Sequence, residues 1–123
     1  MDLSCIVASF FTFSNNLKLY HWNTQSFARH KATDALHGSF ASFMDQFVET
    51  MSATYGRPRF SKDHDLTLTQ WSDKDAVIEL EALRYFLVHD LSEALSDDDV
   101  DLINLRDGAV SDINQALYLF TFS

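Results

Sequence analysis

A chain of 123 residues with only three glycines and one proline has few places to turn tightly. Glycine supplies the left-handed backbone that many turns need, and proline interrupts helices. A chain poor in both folds most simply into a small number of long helices. Almost half of the residues are apolar, enough for a packed core at this length. The expectation is a single domain spanning 1–123.

The apolar spacing divides the chain into four helices. Leu3, Ile6, Val7, Phe10, Phe13, Leu17 and Tyr20 recur at three- and four-residue steps and predict a first helix over Leu3–Trp22. A second is predicted over Ser26–Tyr55, with Ser26 as N-cap and Gly56 and Pro58 as stop signals. A third begins after Ser72, where Ser72 and Asp75 resemble a capping box, and continues to about Leu95 on Val77, Leu80, Leu87 and Leu91. The fourth is predicted from Ser96, with Asp97, Asp98 and Asp99 in its first turn and Val100, Ile103, Val110, Ile113 and Leu117 as its apolar stripe.

The connectors constrain the topology. Short links make the first and second helices, and the third and fourth, antiparallel neighbours. The polar segment 57–71 is different. The second helix is roughly 45 Å long at about 1.5 Å per residue, and the segment reaches roughly 50 Å at about 3.3 Å per residue. It can run back along the bundle as an extended strap. The fold class expected is all-α: a four-helix bundle with one long crossover between the second and third helices.

Composition excludes several functions. A net charge of −9 argues against a phosphate-neutralising surface and favours cations. The apolar run "CIVASFFTF" is too short to span a bilayer and lacks the basic flank of a signal peptide. The lone Cys5 excludes an internal disulfide framework and suits a reducing, cytoplasmic setting. Cys5 has no basic or histidine neighbour in sequence and reads as core.

Chemistry concentrates on the second helix. At about 100° per residue, with His30 at zero, Asp34 falls near about 40°, Asp45 near about 60° and Glu49 near about 100°. Leu36, Phe40, Phe43, Phe47 and Met51 occupy nearly the opposite side and must face the core. The His/Asp/Asp/Glu stripe therefore points away from the bundle. It is either a solvated face or, because Ala41, Met44, Val48 and Ser52 lie in or beside it, an interface holding a polar site. The first helix ends in "LKLYHWN". There His21 could be a packing residue, a C-cap or a ligand, and Trp22 a packing aromatic. His37 and His64 read as structural or surface residues, and His89 with Glu93 as a solvated pair.

Those two stretches, "LKLYHWN" and "ARHKATDALHGSFASFMDQFVE", resemble the signature of Dps proteins, the mini-ferritins of the ferritin-like superfamily. The spacing of His30, Asp34, Asp45 and Glu49 is the specific part of the likeness. The resemblance implies a ferritin-like bundle that self-associates through the second helix, as a dimer at least and as a dodecamer in a closed shell. It implies a ferroxidase centre between two subunits that binds iron (Fe2+/Fe3+) and oxidises Fe(II) with oxygen or peroxide. His21, His30 and Asp34 would come from one subunit and Asp45 and Glu49 from the other, with Glu49 bridging two irons. Trp22 would lie beside the centre as an electron source. Acids near Asp97–Asp101 would line a pore. The gap from His21 to His30 is shorter than in that family, so a tighter turn is expected. With no lysine-rich segment before the first helix, DNA binding is not expected. A non-enzymatic scaffold or a nucleoid-associated protein are the alternative classes.

Overall fold

The computed structural model describes residues 2–122. It is all-helical, and the described residues contain no strand. Helix α1 is Leu3–Asn23 and α2 is Phe27–Tyr55. Helix α3 is continuous in three pieces: Asp73–Tyr85, a π-helical turn Phe86–Asp90, and Leu91–Glu93. Helix α4 is Val100–Phe120.

The ends are capped as the residue types require. Asp2 accepts from the Cys5 amide at the start of α1, and Ser26 accepts from the Arg29 amide at the start of α2. Ser72 and Asp75 form a reciprocal capping box on α3. Gly56 closes α2 with φ 94°, the left-handed region that glycine enters without strain.

α1 packs beside α2 and α3, and α4 beside the same two, so α2 and α3 lie across the diagonal. The ends establish direction. Tyr20, near the end of α1, donates its hydroxyl to Asp73 Oδ1 at 2.7 Å. Arg29, in the first turn of α2, donates to the Asp73 carbonyl at 2.7 Å and to the Tyr20 hydroxyl at 3.0 Å. The start of α3 therefore sits beside the start of α2, and the two run parallel. The connector must return the full length of the bundle. Asn16 holds it on α1, accepting from the Thr69 amide at 2.9 Å and donating to the Thr67 carbonyl at 3.3 Å. Buried Trp71 anchors its end against Phe13 and Tyr20.

The core is one cluster. All seven apolar positions expected from α1 are buried, as are Leu36, Phe40, Phe43, Phe47 and Met51 of α2. Phe10 sits at its centre, edge-on to Phe40, Phe43 and Phe47 at 5.4–5.9 Å. In α3 the buried leucines 83, 87 and 91 are spaced by four. In a regular α-helix that spacing drifts by about 40° per step, and the wider π turn cancels the drift.

Three expectations are corrected. The fourth helix starts at Val100, not Ser96. Asp99 is buried and turns its carboxylate back, taking the Ser96 amide at 2.8 Å and the Tyr55 hydroxyl at 2.5 Å. Asp97 and Asp98 thus precede the helix, and only Asp101 lies in its first turn. The apolar stripe of α4 is also rotated. Leu102, Ala109, Ile113, Ala116 and Phe120 are buried, whereas Val100 is 63% exposed. The pairs Leu102/Ile103, Ala109/Val110 and Ala116/Leu117 made the phase ambiguous, and the alanines allow α4 to approach α2 closely. Cys5 is exposed rather than core, because Ile6 and Val7 already take the inward positions of that turn.

Candidate metal centre

The tight turn between α1 and α2 brings His21 and His30 face to face. Their rings stack with centroids 4.0 Å apart and planes 15° apart. Each holds the other's backbone: His21 Nδ1 lies 2.9 Å from the His30 carbonyl, and His30 Nδ1 lies 3.0 Å from the His21 carbonyl. A carbonyl only accepts, so both Nδ1 atoms carry a proton, and in each ring, when neutral, Nε2 carries the lone pair. Thr33 completes the lock. Fully buried, it donates to the Arg29 carbonyl at 2.7 Å, leaving its oxygen to accept from His21 Nδ1 at 3.0 Å. Burial pushes the His21 pKa down, with the adjacent His30 and Lys18 acting in the same direction. The neutral ring presents Nε2 to Asp34 Oδ1 at 4.0 Å. A lone pair facing a carboxylate gains nothing from direct approach, whereas a cation satisfies both. Asp34 is 66% exposed and free to rotate toward it.

Asp45 and Glu49 lie on the same stripe of α2, but eleven and fifteen residues beyond Asp34, or about 16 and about 22 Å along the axis at about 1.5 Å per residue. Both are exposed, on a groove of about 550 Å3 whose walls include Phe11, Met44, Val48 and Phe60. The chain therefore stacks His21 on His30 and sets Asp34 4.0 Å from His21, and leaves Asp45 and Glu49 apart. Among the described residues no three His, Cys, Asp or Glu side chains converge on one point. Trp22 projects outward, 68% exposed, with Lys18 Nζ 5.7 Å from its ring centroid.

The other histidines lie elsewhere. His37 is half-buried, its Nε2 3.4 Å from the Ser14 hydroxyl, and burial pushes its pKa down. His64 is exposed on the strap beside Phe60, and exposed His89 stacks on Tyr85 at 4.2 Å.

Two residues escaped the sequence reading. Thr33 is one, and its signal was a hydroxyl three residues after His30 on the inward side. Gly38 is the other. It sits exposed mid-helix, where an added Cβ would meet nothing within 4 Å, so nothing inside the chain requires glycine there. Its signal was symmetry. His30 and Glu49, and likewise Asp34 and Asp45, are equally spaced about the Ser39–Phe40 bond, with Gly38 and Ala41 flanking that midpoint.

Fold and site together define an all-α four-helix protein with a stacked histidine pair beside Asp34 at one place and the exposed carboxylates Asp45 and Glu49 at another along the same stripe of α2. Over residues 21–120 the chain matches the model of a family described as a family of unknown function (DUF5856), and it belongs to that family. No curated protein and no solved structure matches it.

Proposed function

We propose that this is a ferritin-like, Dps-like iron protein that oxidises Fe(II) with oxygen or peroxide at a centre shared by two copies. The observation that carries the reading is the common midpoint of the two donor pairs on α2. Antiparallel pairing of two such helices about Ser39–Phe40 sets His30 and Asp34 of one copy level with Glu49 and Asp45 of the other. Each dimer then holds two complete donor sets, and each set combines imidazole and carboxylate, a combination suited to Fe(II). Gly38 and Ala41 at the crossing allow two helices to approach closely. The parallel α2 and α3, joined by a returning strap, are the arrangement a ferritin-like bundle requires.

The residues take defined roles. The Nδ1 locks orient His21 and His30 and keep Nε2 available, the outer-shell support that metal-binding imidazoles use. Asp45 and Glu49 supply negative charge that offsets the ions. Glu49 is the bridging carboxylate, and Trp22 lies beside the pair. Two Fe(II) ions are the substrate. Each gives up one electron, and together, with two protons from solvent, they reduce one dioxygen to hydrogen peroxide or one hydrogen peroxide to two waters. Storage of the oxidised product follows if the dimers close into a shell.

Anaerobic Fe(II) titration followed by oxygen or peroxide tests the reading. Saturable binding that requires both His21 and Glu49, then oxidation faster than in buffer, is the expected result. A stable monomer at micromolar concentration that binds no Fe(II) returns the chain to the scaffold class.

A further inference from the structure

The groove bordered by α1, α2 and the start of the strap has a volume of about 550 Å3, within the roughly 300–1,000 Å3 of small-molecule sites. Its floor belongs to the core, since Val7 and Phe10 are buried. Phe11 and Phe60 stand at its walls 49% and 46% exposed, together with Met44 of α2. Apolar surface left in water on this scale gains from any apolar group that covers it. Asp45 and Glu49, four residues apart, border the same groove. Among the described residues no lysine, arginine or histidine lines it, and neither carboxylate has an ion-pair partner.

We infer that this groove is a binding site for a small organic cation, a protonated amine carrying an apolar chain, with its ammonium at Asp45 and Glu49 and its chain against Phe11, Met44 and Phe60. Each part of the lining selects one part of such a ligand. The apolar walls reward every methylene taken out of water. The carboxylate pair attracts an ammonium and repels an organic anion, and the net charge of −9 acts in the same direction. An inorganic cation gains nothing from the walls, and a hydrocarbon gains nothing from the carboxylates. A second copy of the chain brings its own −9 toward two carboxylates, so charge favours the amine as occupant. The site lies within one chain and does not depend on the iron reading. Where both hold, an occupied groove withholds Asp45 and Glu49 from the shared centre.

Isothermal titration of the full-length, metal-free protein with butyl-, hexyl- and octylammonium chloride tests this. Binding should saturate at a single site per chain and tighten about fourfold for each added methylene. Octanoate should bind about tenfold more weakly than octylammonium, with 1-octanol between them. Asp45→Asn combined with Glu49→Gln should weaken octylammonium about fivefold and leave 1-octanol unchanged. Phe60→Ser and Met44→Gln should weaken amine and alcohol alike, by about tenfold each. Circular dichroism on each variant verifies that the helices remain, and half-exposed Phe60 has little folded-state packing to lose. Absence of saturable binding, an affinity independent of chain length, or octanoate binding as tightly as octylammonium overturns the site. So does a metal-free dimer, followed by sedimentation, that the two wall variants dissociate while octylammonium affinity is unchanged, because the groove then belongs to the second copy. None of these readouts uses iron, so amine binding can stand where the Fe(II) titration fails, and the reverse.

Discussion

The two halves of the candidate centre are built in opposite ways. The histidine half is finished within one chain. His21 is 6% exposed and Thr33 fully buried, and both imidazoles are held by backbone carbonyls. The carboxylate half is open. Asp45 and Glu49 are exposed on a surface helix, and among the described residues neither has an ion-pair partner. A nitrogen donor gains from being oriented, since its one lone pair must point at the metal. A carboxylate has two oxygens and several lone pairs, and so tolerates a mobile start. The contrast teaches that a single chain carries a rigid receptor and a flexible counterpart. On the proposed reading, each half meets its complement in a second copy.

The sharpest way to break that comparison is Glu49→Ala. The change removes the proposed bridging carboxylate from an exposed position, so oxidation of Fe(II) should fall to the buffer rate while the unfolding midpoint stays within experimental error. Retained oxidation would mean that the histidine half acts alone.

His21→Ala should behave differently, because His21 is structural as well as a proposed ligand. Fe(II) affinity should fall by about 10- to 100-fold, the scale seen when outer-shell support of a metal site is lost, and here a lower guide. Stability should fall as well, by about 1–3 kcal/mol, since the His30 carbonyl and the buried Thr33 hydroxyl lose a donor. Urea unfolding and Fe(II) titration on the same variant separate the two effects. A variant with parental stability but no iron binding would show that the lock does not support the fold.

Gly38→Ala addresses the crossing. In a lone helix the substitution replaces the poorest ordinary helix former by the best, and should stabilise the isolated chain by about 0.8–1 kcal/mol. The Cβ has free space within the chain. Between two closely crossed helices it does not, so association should weaken. The opposite signs are the test: a variant both more stable as a monomer and better associated would place the crossing elsewhere.

Much of this was legible in the chain before its coordinates. The α1 and α2 core positions followed from three- and four-residue spacing because the recurring Phe and Leu define one inward phase that isolated apolar neighbours such as Phe11, Met44 and Val48 do not repeat. The strap followed from its length alone. The α4 stripe did not, because adjacent apolar residues offered two phases that differ by about 100°, and only packing against α2 chooses between them. The start of α4 was misread because Asp99 serves the Ser96 amide and Tyr55 instead of helping to start the helix four residues earlier. At the centre, the ligand candidates were visible as spacing. The reciprocal His21–His30 lock was not, since it depends on backbone carbonyls that carry no residue identity.

The smallest effect expected is a pH dependence of the metal-free protein, and it too separates the halves. Burial lowers the pKa of both His21 and His37 below the ordinary 6.5. For a base, a lowered value means that the unfolded chain binds more protons than the folded one between the folded value and 6.5. Stability therefore rises with pH through that window. Read downward, it is intact above 6.5, declines as pH falls below 6.5, and levels off once both folded rings are protonated. Carboxylates with lowered pKa, such as Asp75 and Asp99, act in a separate window, losing their contribution as pH falls below 3.8. Urea midpoints of the apo protein between pH 7.5 and about 4.5 isolate the histidine contribution. The parent should lose stability on acidification across that range. His21→Gln combined with His37→Asn should flatten the curve, whereas Asp45→Asn with Glu49→Gln should leave its slope unchanged. A parent whose midpoint stays level or rises on acidification would mean that His21 and His37 are not buried against protons, and that the histidine half is as open as the carboxylate half.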